Sequence, residues 1–395
     1  MTSSFIYLNH AAATPILPRA AAVAADVAGR LYGNPSSTTD FAGRAAGEVA
    51  AHARRCCADS LGRRPSEIYF TSGATEANNW VIKGTLWRAA RSARRHLITQ
   101  ATEHASVLES AHSLRGDGFD VTILPVNSVG MVDPADVARA LRERPDTALV
   151  SVMWVNNETG TVQPVAEVAE ACRVAGVPFH ADATQAYGRV PIGLGPGPAP
   201  DLITLSAHKA GGPRGAGLLW VRAGAPGGVP APLLHGGGQE RGARAGTLNL
   251  AAIAGMAAAM VDVGRDFEQA TARLASLRDR LETRLVEALG AVVVGNRTQR
   301  APHISSLRVP GVPALELLKA APRVGAAAGA ACHAAGIDPS HVLVAMGHGE
   351  QSFEVIRLSI GPQTTDAEVD EAAELLLQVV RSLRSVKGLR TPTQP

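Results

Sequence analysis

Lysine is scarce in this chain, and one lysine stands where an amine can do chemistry. Of the 38 Lys and Arg residues only four are lysines: Lys83, Lys209, Lys319 and Lys387. Lys209 lies in Leu205-Ser206-Ala207-His208-Lys209, directly after the apolar run Leu202-Ile203-Thr204-Leu205. Arginine cannot replace an amine that must lose its proton and attack a carbonyl, because a guanidinium keeps its proton to above pH ~12. Upstream, His180-Ala181-Asp182-Ala183-Thr184-Gln185 closes another apolar run with a carboxylate. A lysine for a Schiff base and a carboxylate against a pyridinium nitrogen are what pyridoxal phosphate requires of a protein. Gln185 can donate to the phenolate of the same ring.

The remaining polar motifs fit around that pair. Thr71-Ser72-Gly73-Ala74-Thr75-Glu76 is a small-residue turn opening a helix, where free N–H groups and the helix dipole suit a phosphate. Ser206 and His208 can bond the same phosphate. His104, in Thr102-Glu103-His104, is a flat ring able to stack on a cofactor and to shuttle protons. Asn156-Asn157-Glu158-Thr159-Gly160 offers amides to a carboxylate or a phenolic oxygen. Gly236-Gly237-Gly238-Gln239-Glu240-Arg241 and then Arg244-Ala245-Gly246-Thr247 form a glycine-rich turn that can add Thr247 to a phosphate site. Arg357 is a lone charge in the apolar run Ile356-Arg357-Leu358, and arginine grips carboxylates with two parallel bonds. Cys332 sits in the small-residue stretch Gly329-Ala330-Ala331-Cys332-His333, an uncluttered setting for a reactive thiol.

These motifs must be held by strand ends. From about residue 66, apolar β-rich runs alternate with helical stretches. Strands are expected at Ile68–Thr71, His96–Gln100, Val121–Val126, Ala148–Val152, Val177–His180, Leu202–Leu205 and Gly217–Val221. Helices are expected at Thr75–Ala90, Pro134–Arg142 and Pro164–Ala175. Such alternation predicts a largely parallel α/β sheet with helices on both faces, whose ligands gather at the carboxyl ends of its strands. From about Ala251 a long helical region runs through Phe267–Leu289 into a smaller C-terminal part with strands Val292–Val294, Ile304–Val309 and Val355–Ile360 and a helix at Asp366–Leu383. Residues from Lys387 onward read as a loose tail.

The bulk properties limit the alternatives. The 395 residues are 46% hydrophobic and 18% charged, with a net charge of +3 spread along the chain, so neither nucleic acid nor membrane is indicated as a partner. The longest near-uniform apolar stretch, Leu250 to Val261, is shorter than the ~20 residues a bilayer requires. The N-terminus lacks a signal-like pattern, and a cytoplasmic location is the default expectation. The four cysteines show no metal-ligand spacing, and Cys172 reads as a buried thiol on an apolar helix face.

Taken together, the motifs resemble those of the class V aminotransferases, in particular the cysteine desulfurases. The resemblance runs from Tyr7-Leu8-Asn9-His10-Ala11-Ala12 and Gly33-Asn34-Pro35-Ser36-Ser37 to Arg357-Leu358-Ser359-Ile360-Gly361. It implies an α/β fold of the PLP-dependent transferase type (fold type I). A large cofactor-binding domain of residues 14–260 would carry a mostly parallel mixed sheet, and residues 1–13 with 261–395 would form a smaller α+β domain bearing the catalytic cysteine loop. It implies that Lys209 carries pyridoxal phosphate, that Asp182 pairs with the pyridine nitrogen, and that His104 stacks on the ring. Gln185 and Asn157 would contact cofactor or substrate. Ala74, Thr75, Ser206 and His208 would bind the phosphate, with Thr247 doing so from the second subunit of a homodimer. Arg357, with Asn34 and Asn157, would hold the carboxylate of L-cysteine. Cys332 would take the sulfur as a persulfide, in a segment similar to the long-loop desulfurases, and pass it to an acceptor protein, scaffold or carrier, leaving alanine. No metal is implied. The chain departs from the usual pattern at Asn9-His10, at Thr38-Thr39-Asp40 and at Ala210-Gly211, which bears on acceptor choice. Selenocysteine lyases and cysteine C–S lyases of the same fold are the alternative reading.

Overall fold

The computed structural model describes residues 5–195, 197–333 and 336–386, and between 330 and 337 it describes backbone only. The side chains of Cys332 and His333 and the tail from Lys387 lie outside the described residues. Seven strands form one sheet: β1 (Ile68–Thr71), β2 (His96–Gln100), β3 (Asp120–Leu124), β4 (Thr147–Ser151), β5 (Phe179–Asp182), β6 (Leu202–Ser206) and β7 (Gly217–Val221). Their order across the sheet is β1-β7-β6-β5-β4-β2-β3, with β7 antiparallel to both neighbours and the other pairings parallel.

Alternation along the strands builds two cores. Tyr69, Leu97, Leu149, Leu202 and Leu219 face helices Ala74–Ala89 and Ala105–Arg115, whereas Phe70, Ile98, Val150, Ile203 and Trp220 face the opposite helical layer. Both faces being covered, six of the strands are buried at every position and read as continuous apolar runs; β3, at the edge, is exposed or half-buried until its last residue. Two expected boundaries move for one reason. Pro178 has no N–H for the ladder, so β5 begins at Phe179 and extends to include Asp182; Pro125 likewise follows the end of β3 at Leu124.

A further apolar core joins Ile6 and Leu8 to Leu274, Leu281, Leu307, Ile356, Leu358 and Leu376. It lies on a four-stranded antiparallel sheet ordered Ala327–Ala328, Val355–Ser359, Ile304–Arg308, Val292–Val293. The expected long helical region is two helices, Leu250–Arg265 and Phe267–Leu289, because Asp266 (φ −123°, ψ 41°) leaves helical geometry after the weak helix former Gly264. Burial pushes the Cys57 thiol up to about 12 and raises that of Cys172 as well, so both behave as packing groups.

The open edge of β1 is closed by a side chain. Glu240, from the glycine-rich loop, accepts the Phe70 N–H at 2.8 Å and a two-pronged ion pair from Arg54 at 2.5 and 2.8 Å. Arg54 also reaches the Ile68 carbonyl at 2.7 Å. Glu240 is 6% exposed, so removing its cation strands a buried charge. Arg54→Met is therefore expected to lower the unfolding free energy by about 3 kcal/mol in urea denaturation. A loss below about 0.5 kcal/mol would place the pair with ordinary surface ion pairs.

Candidate active site

The carboxyl ends of the sheet strands open into a cavity of about 520 Å³. Of the residues singled out by sequence, it gathers Ala74, Thr75, His104, Asn157, Asp182, Gln185, Ser206, His208, Lys209 and Arg357. Two others stand apart within the single chain. Asn34 is exposed and turns its side-chain oxygen onto the Ser36 N–H at 3.0 Å, and Thr247 is exposed in the loop after Arg244.

Lys209 follows β6 on one helical turn, Ala207–Lys209, and its amine donates to the Ala11 and Ala12 carbonyls at 2.7 and 2.5 Å. Those carbonyls reach it because the N-terminal segment crosses from the second sheet: Ser359 donates its N–H to Leu8 at 2.8 Å, and Thr14 donates its N–H to the His208 carbonyl at 3.0 Å. Burial, and then the Arg357 guanidinium, push the Lys209 amine down to about 8, against the pull of Asp182. An amine so placed is a nucleophile near neutral pH.

Asp182, the last residue of β5, is 6% exposed. Its Oδ1 accepts the Thr184 N–H at 2.9 Å and its Oδ2 accepts Asn78 Nδ2 at 2.7 Å. Gln185 donates to the Ala11 carbonyl at 2.8 Å, with His303 Nε2 lying 3.3 Å from its oxygen.

The phosphate-like end is built from the start of helix Ala74–Ala89. Ser72 donates its N–H to Glu76 at 2.9 Å, and Arg244 holds Glu76 with two bonds of 2.8 and 3.0 Å. Burial opposes the ionised Glu76, but Arg244 and Ser72 hold its carboxyl below the usual range. Ser206 Oγ and His208 Nδ1 lie 2.8 Å apart at the rim. Burial first, then Lys209 and Arg214, lower His208 to about 4, leaving it neutral at pH 7. A Cβ at Gly217 would meet Gly73 Cα at 2.6 Å, so β7 and this turn pack backbone against backbone.

The far wall joins the ends of β2 and β4. Glu103 is fully buried and accepts the Met153 N–H at 2.6 Å and Gln100 Nε2 at 3.0 Å; burial pushes its carboxyl up to about 8. It is a brace between strand ends. Asn156 is a second brace, donating to the Thr102 carbonyl at 2.9 Å and accepting the Glu158 and Thr159 N–H groups. Arg357 is held by the Asn157 carbonyl at 2.8 Å and by Asn9 Oδ1 at 2.7 Å, while its buried Nε has no partner. Asn9 is thus a functional support in a position where the sequence showed only a departure from pattern. Asn78, Ser106 and Arg214 were also not singled out; the one signal was a buried-position amide, Asn78, inside a helix of Trp, Val and Ile.

Beside the cavity, strands Ala330–His333 and Gly336–Pro339 pair antiparallel, with Cys332 opposite Ile337. The base of this hairpin is fastened to the wall. Ser340 Oγ donates to Glu158 at 2.5 Å, and His341 Nε2 donates to the Glu103 carbonyl at 2.9 Å.

The family model for aminotransferase class-V matches residues 6–372. The chain belongs to this family. Among its relatives, the cysteine desulfurase IscS of Methanosarcina thermophila is 38% identical over 392 residues, covering 98% of this chain and 95% of that one. The mitochondrial cysteine desulfurase of Eremothecium gossypii is 40% identical over 385 residues, 97% of this chain and 78% of that one. A solved NifS-like protein superposes with a TM-score of 0.88 at 33% identity, covering 96% of this chain and all of the other. As a class V aminotransferase grouped with the cysteine desulfurases, the chain has the expected α/β fold.

The environment of Lys209 has a direct readout. In the apoprotein, reductive methylation followed by mass spectrometry should show Lys209 labelling half-maximal near pH 8. A midpoint above pH 10 would contradict the burial and the Arg357 field assigned to it.

Proposed function

We propose that this protein is a pyridoxal phosphate-dependent cysteine desulfurase that moves sulfur from L-cysteine to Cys332 and on to an acceptor protein. The observation that carries the reading is Lys209, with its lowered amine, sharing one cavity with the buried carboxylate Asp182 and the helix start at Ala74.

The donor set fits the cofactor. Each Asp182 oxygen accepts one N–H from the protein, which leaves lone pairs for a pyridinium nitrogen. The N–H groups of Ala74 and Thr75, with Ser206 and His208, suit a phosphate, and Thr247 would complete that site from the second subunit of a homodimer. The exposed rings of Tyr32 (92%) and Phe41 (80%) are consistent with a surface that a second subunit covers. When bound, pyridoxal phosphate accepts the electrons released as the α-proton of the amino acid leaves.

The chain's own residues supply the rest. Arg357, its Nε unpaired and its two other nitrogens held by Asn157 and Asn9, presents a fixed fork to the substrate carboxylate. Asn157 lies beside it, and Asn34 belongs to this carboxylate contact in the proposed arrangement. Lys209, released from its carbonyl partners, carries the α-proton away. The Cys332 thiolate attacks the substrate sulfur: the carbon–sulfur bond breaks, a sulfur–sulfur bond forms, and cysteine plus thiol become alanine plus persulfide with no outside oxidant. Among the described residues no helix is long and apolar enough to cross a membrane, and no group of three His, Cys, Asp or Glu could hold a metal.

Two variants test the assignment. Lys209→Ala should abolish the visible absorbance of a Schiff base formed with added pyridoxal phosphate; a retained band would refute the role of Lys209. Cys332→Ala should keep the cofactor and lose persulfide formation from cysteine. Sulfide release at an unchanged rate in that variant would favour direct C–S elimination, as in a C–S or selenocysteine lyase.

A further inference from the structure

Asn78 is fully buried on the second turn of helix Ala74–Ala89, and every hydrogen bond it makes has a fixed direction. Its Nδ2 donates to Asp182 Oδ2 at 2.7 Å and to Ser106 Oγ at 2.9 Å. Its Oδ1 accepts from Thr204 Oγ1 at 2.6 Å. The orientation is imposed by Asp182: a carboxylate accepts and does not donate, so the NH₂ end of the amide must face it. That choice propagates. Ser106 Oγ accepts from Asn78, and its own hydrogen is left for His104 Nδ1, 2.9 Å away. The Ser106 N–H points at the same nitrogen at 3.1 Å. A ring nitrogen that receives two donors carries no proton, so the hydrogen of neutral His104 is on Nε2.

The other arm has the same polarity. Ser151 Oγ lies 2.9 Å from His180 Nδ1, and His180 Nε2 lies 3.1 Å from Thr204 Oγ1. Thr204 gives its hydrogen to Asn78, so it accepts from His180 Nε2–H, and Ser151 donates to His180 Nδ1. Burial holds His180 neutral, lowering it to about 4. One file of donors therefore enters Asn78 and divides there, one branch ending on Asp182 and the other on His104, and bonds in such chains polarise one another.

We propose that Asn78 is a positioning residue that transmits the demand of Asp182 for donors to His104, fixing His104 as an Nε2–H hydrogen-bond donor toward the cavity instead of a base. This rests on the proposed function for what the two residues contact, but the tautomer follows from the protein alone. Protonating Nδ1 would require the Ser106 hydroxyl to turn and would leave the Ser106 N–H without its acceptor. The charged groups that share the cavity with His104 are Asp182, Lys209 and Arg357, with Glu76, Arg214 and the neutral ring of His208 at the phosphate end. Glu103 precedes it. A change at Ser106 leaves all of them in place.

The test is ¹⁵N spectroscopy of histidine-labelled protein with and without pyridoxal phosphate, with the His104 signal assigned by its loss in His104→Gln. Wild-type His104 should show a protonated Nε2 and a bare Nδ1. Ser106→Ala removes the hydroxyl that donates to Nδ1, the loss of one hydrogen bond, and should move the Nδ1 signal toward that of a free ring nitrogen. Asn78→Ala should give a shift of the same sign and also alter the absorbance of the bound cofactor, which Ser106→Ala should leave alone. A wild-type ring bearing its hydrogen on Nδ1, or an Nδ1 signal unmoved in folded Ser106→Ala, would overturn the proposal. Failure of the protein to bind pyridoxal phosphate would overturn the proposed function and leave the tautomer result standing.

Discussion

A carboxylate buried at the end of a central strand has to be met by donors, and Asp182 takes one from Asn78 and one from the Thr184 N–H, with Asn78 held in turn by a second strand and a second helix. Leaving such a group unsatisfied would cost several kcal/mol, so the neighbours are not interchangeable. Thr204 is the cross-strand partner of Asp182 in the β5–β6 ladder, and it is also what holds Asn78 in place. Ser106 comes from the helix after β2, and Asn78 from the helix after β1. A slip of one residue in β5 would turn Asp182 toward the apolar layer around Ala181 and Phe179. Sheet register and site chemistry are therefore specified together.

A second buried acid lies beside this cavity, directly before His104. Glu103 receives two N–H donors, yet full burial prevails and its carboxyl is pushed up to about 8. At neutral pH it serves as a brace between the ends of β2 and β4. Lys209 completes the pattern, its amine lowered by the same desolvation and by Arg357. At this end of the sheet burial thus favours the uncharged form of an acid and of a base alike.

Much of this was legible in the sequence, because each motif follows its own strand within a few residues. The strand endings alone place Thr75, His104, Asn157, Asp182 and Lys209 in one crevice. What escaped notice depends on distant segments. Asn9 supports Arg357 across 348 positions, and Ala11 accepts from Lys209 across 198. Neither spacing has a local pattern. Asn78 and Ser106 look like ordinary helix residues until the two helices are packed side by side. Asn34 and Thr247, both named from the sequence, lie outside the single-chain cavity. The break at Asp266 was hidden because the apolar helical pattern continues on both sides of it.

The base of the hairpin that carries Cys332 is fastened to the wall by Ser340 to Glu158 and by His341 to the carbonyl of Glu103, and to the second sheet by the Gly329 N–H on the Val355 carbonyl. Glu158 follows Asn157, and Glu103 precedes His104. The foot of the hairpin and this stretch of cavity backbone are therefore set by the same bonds.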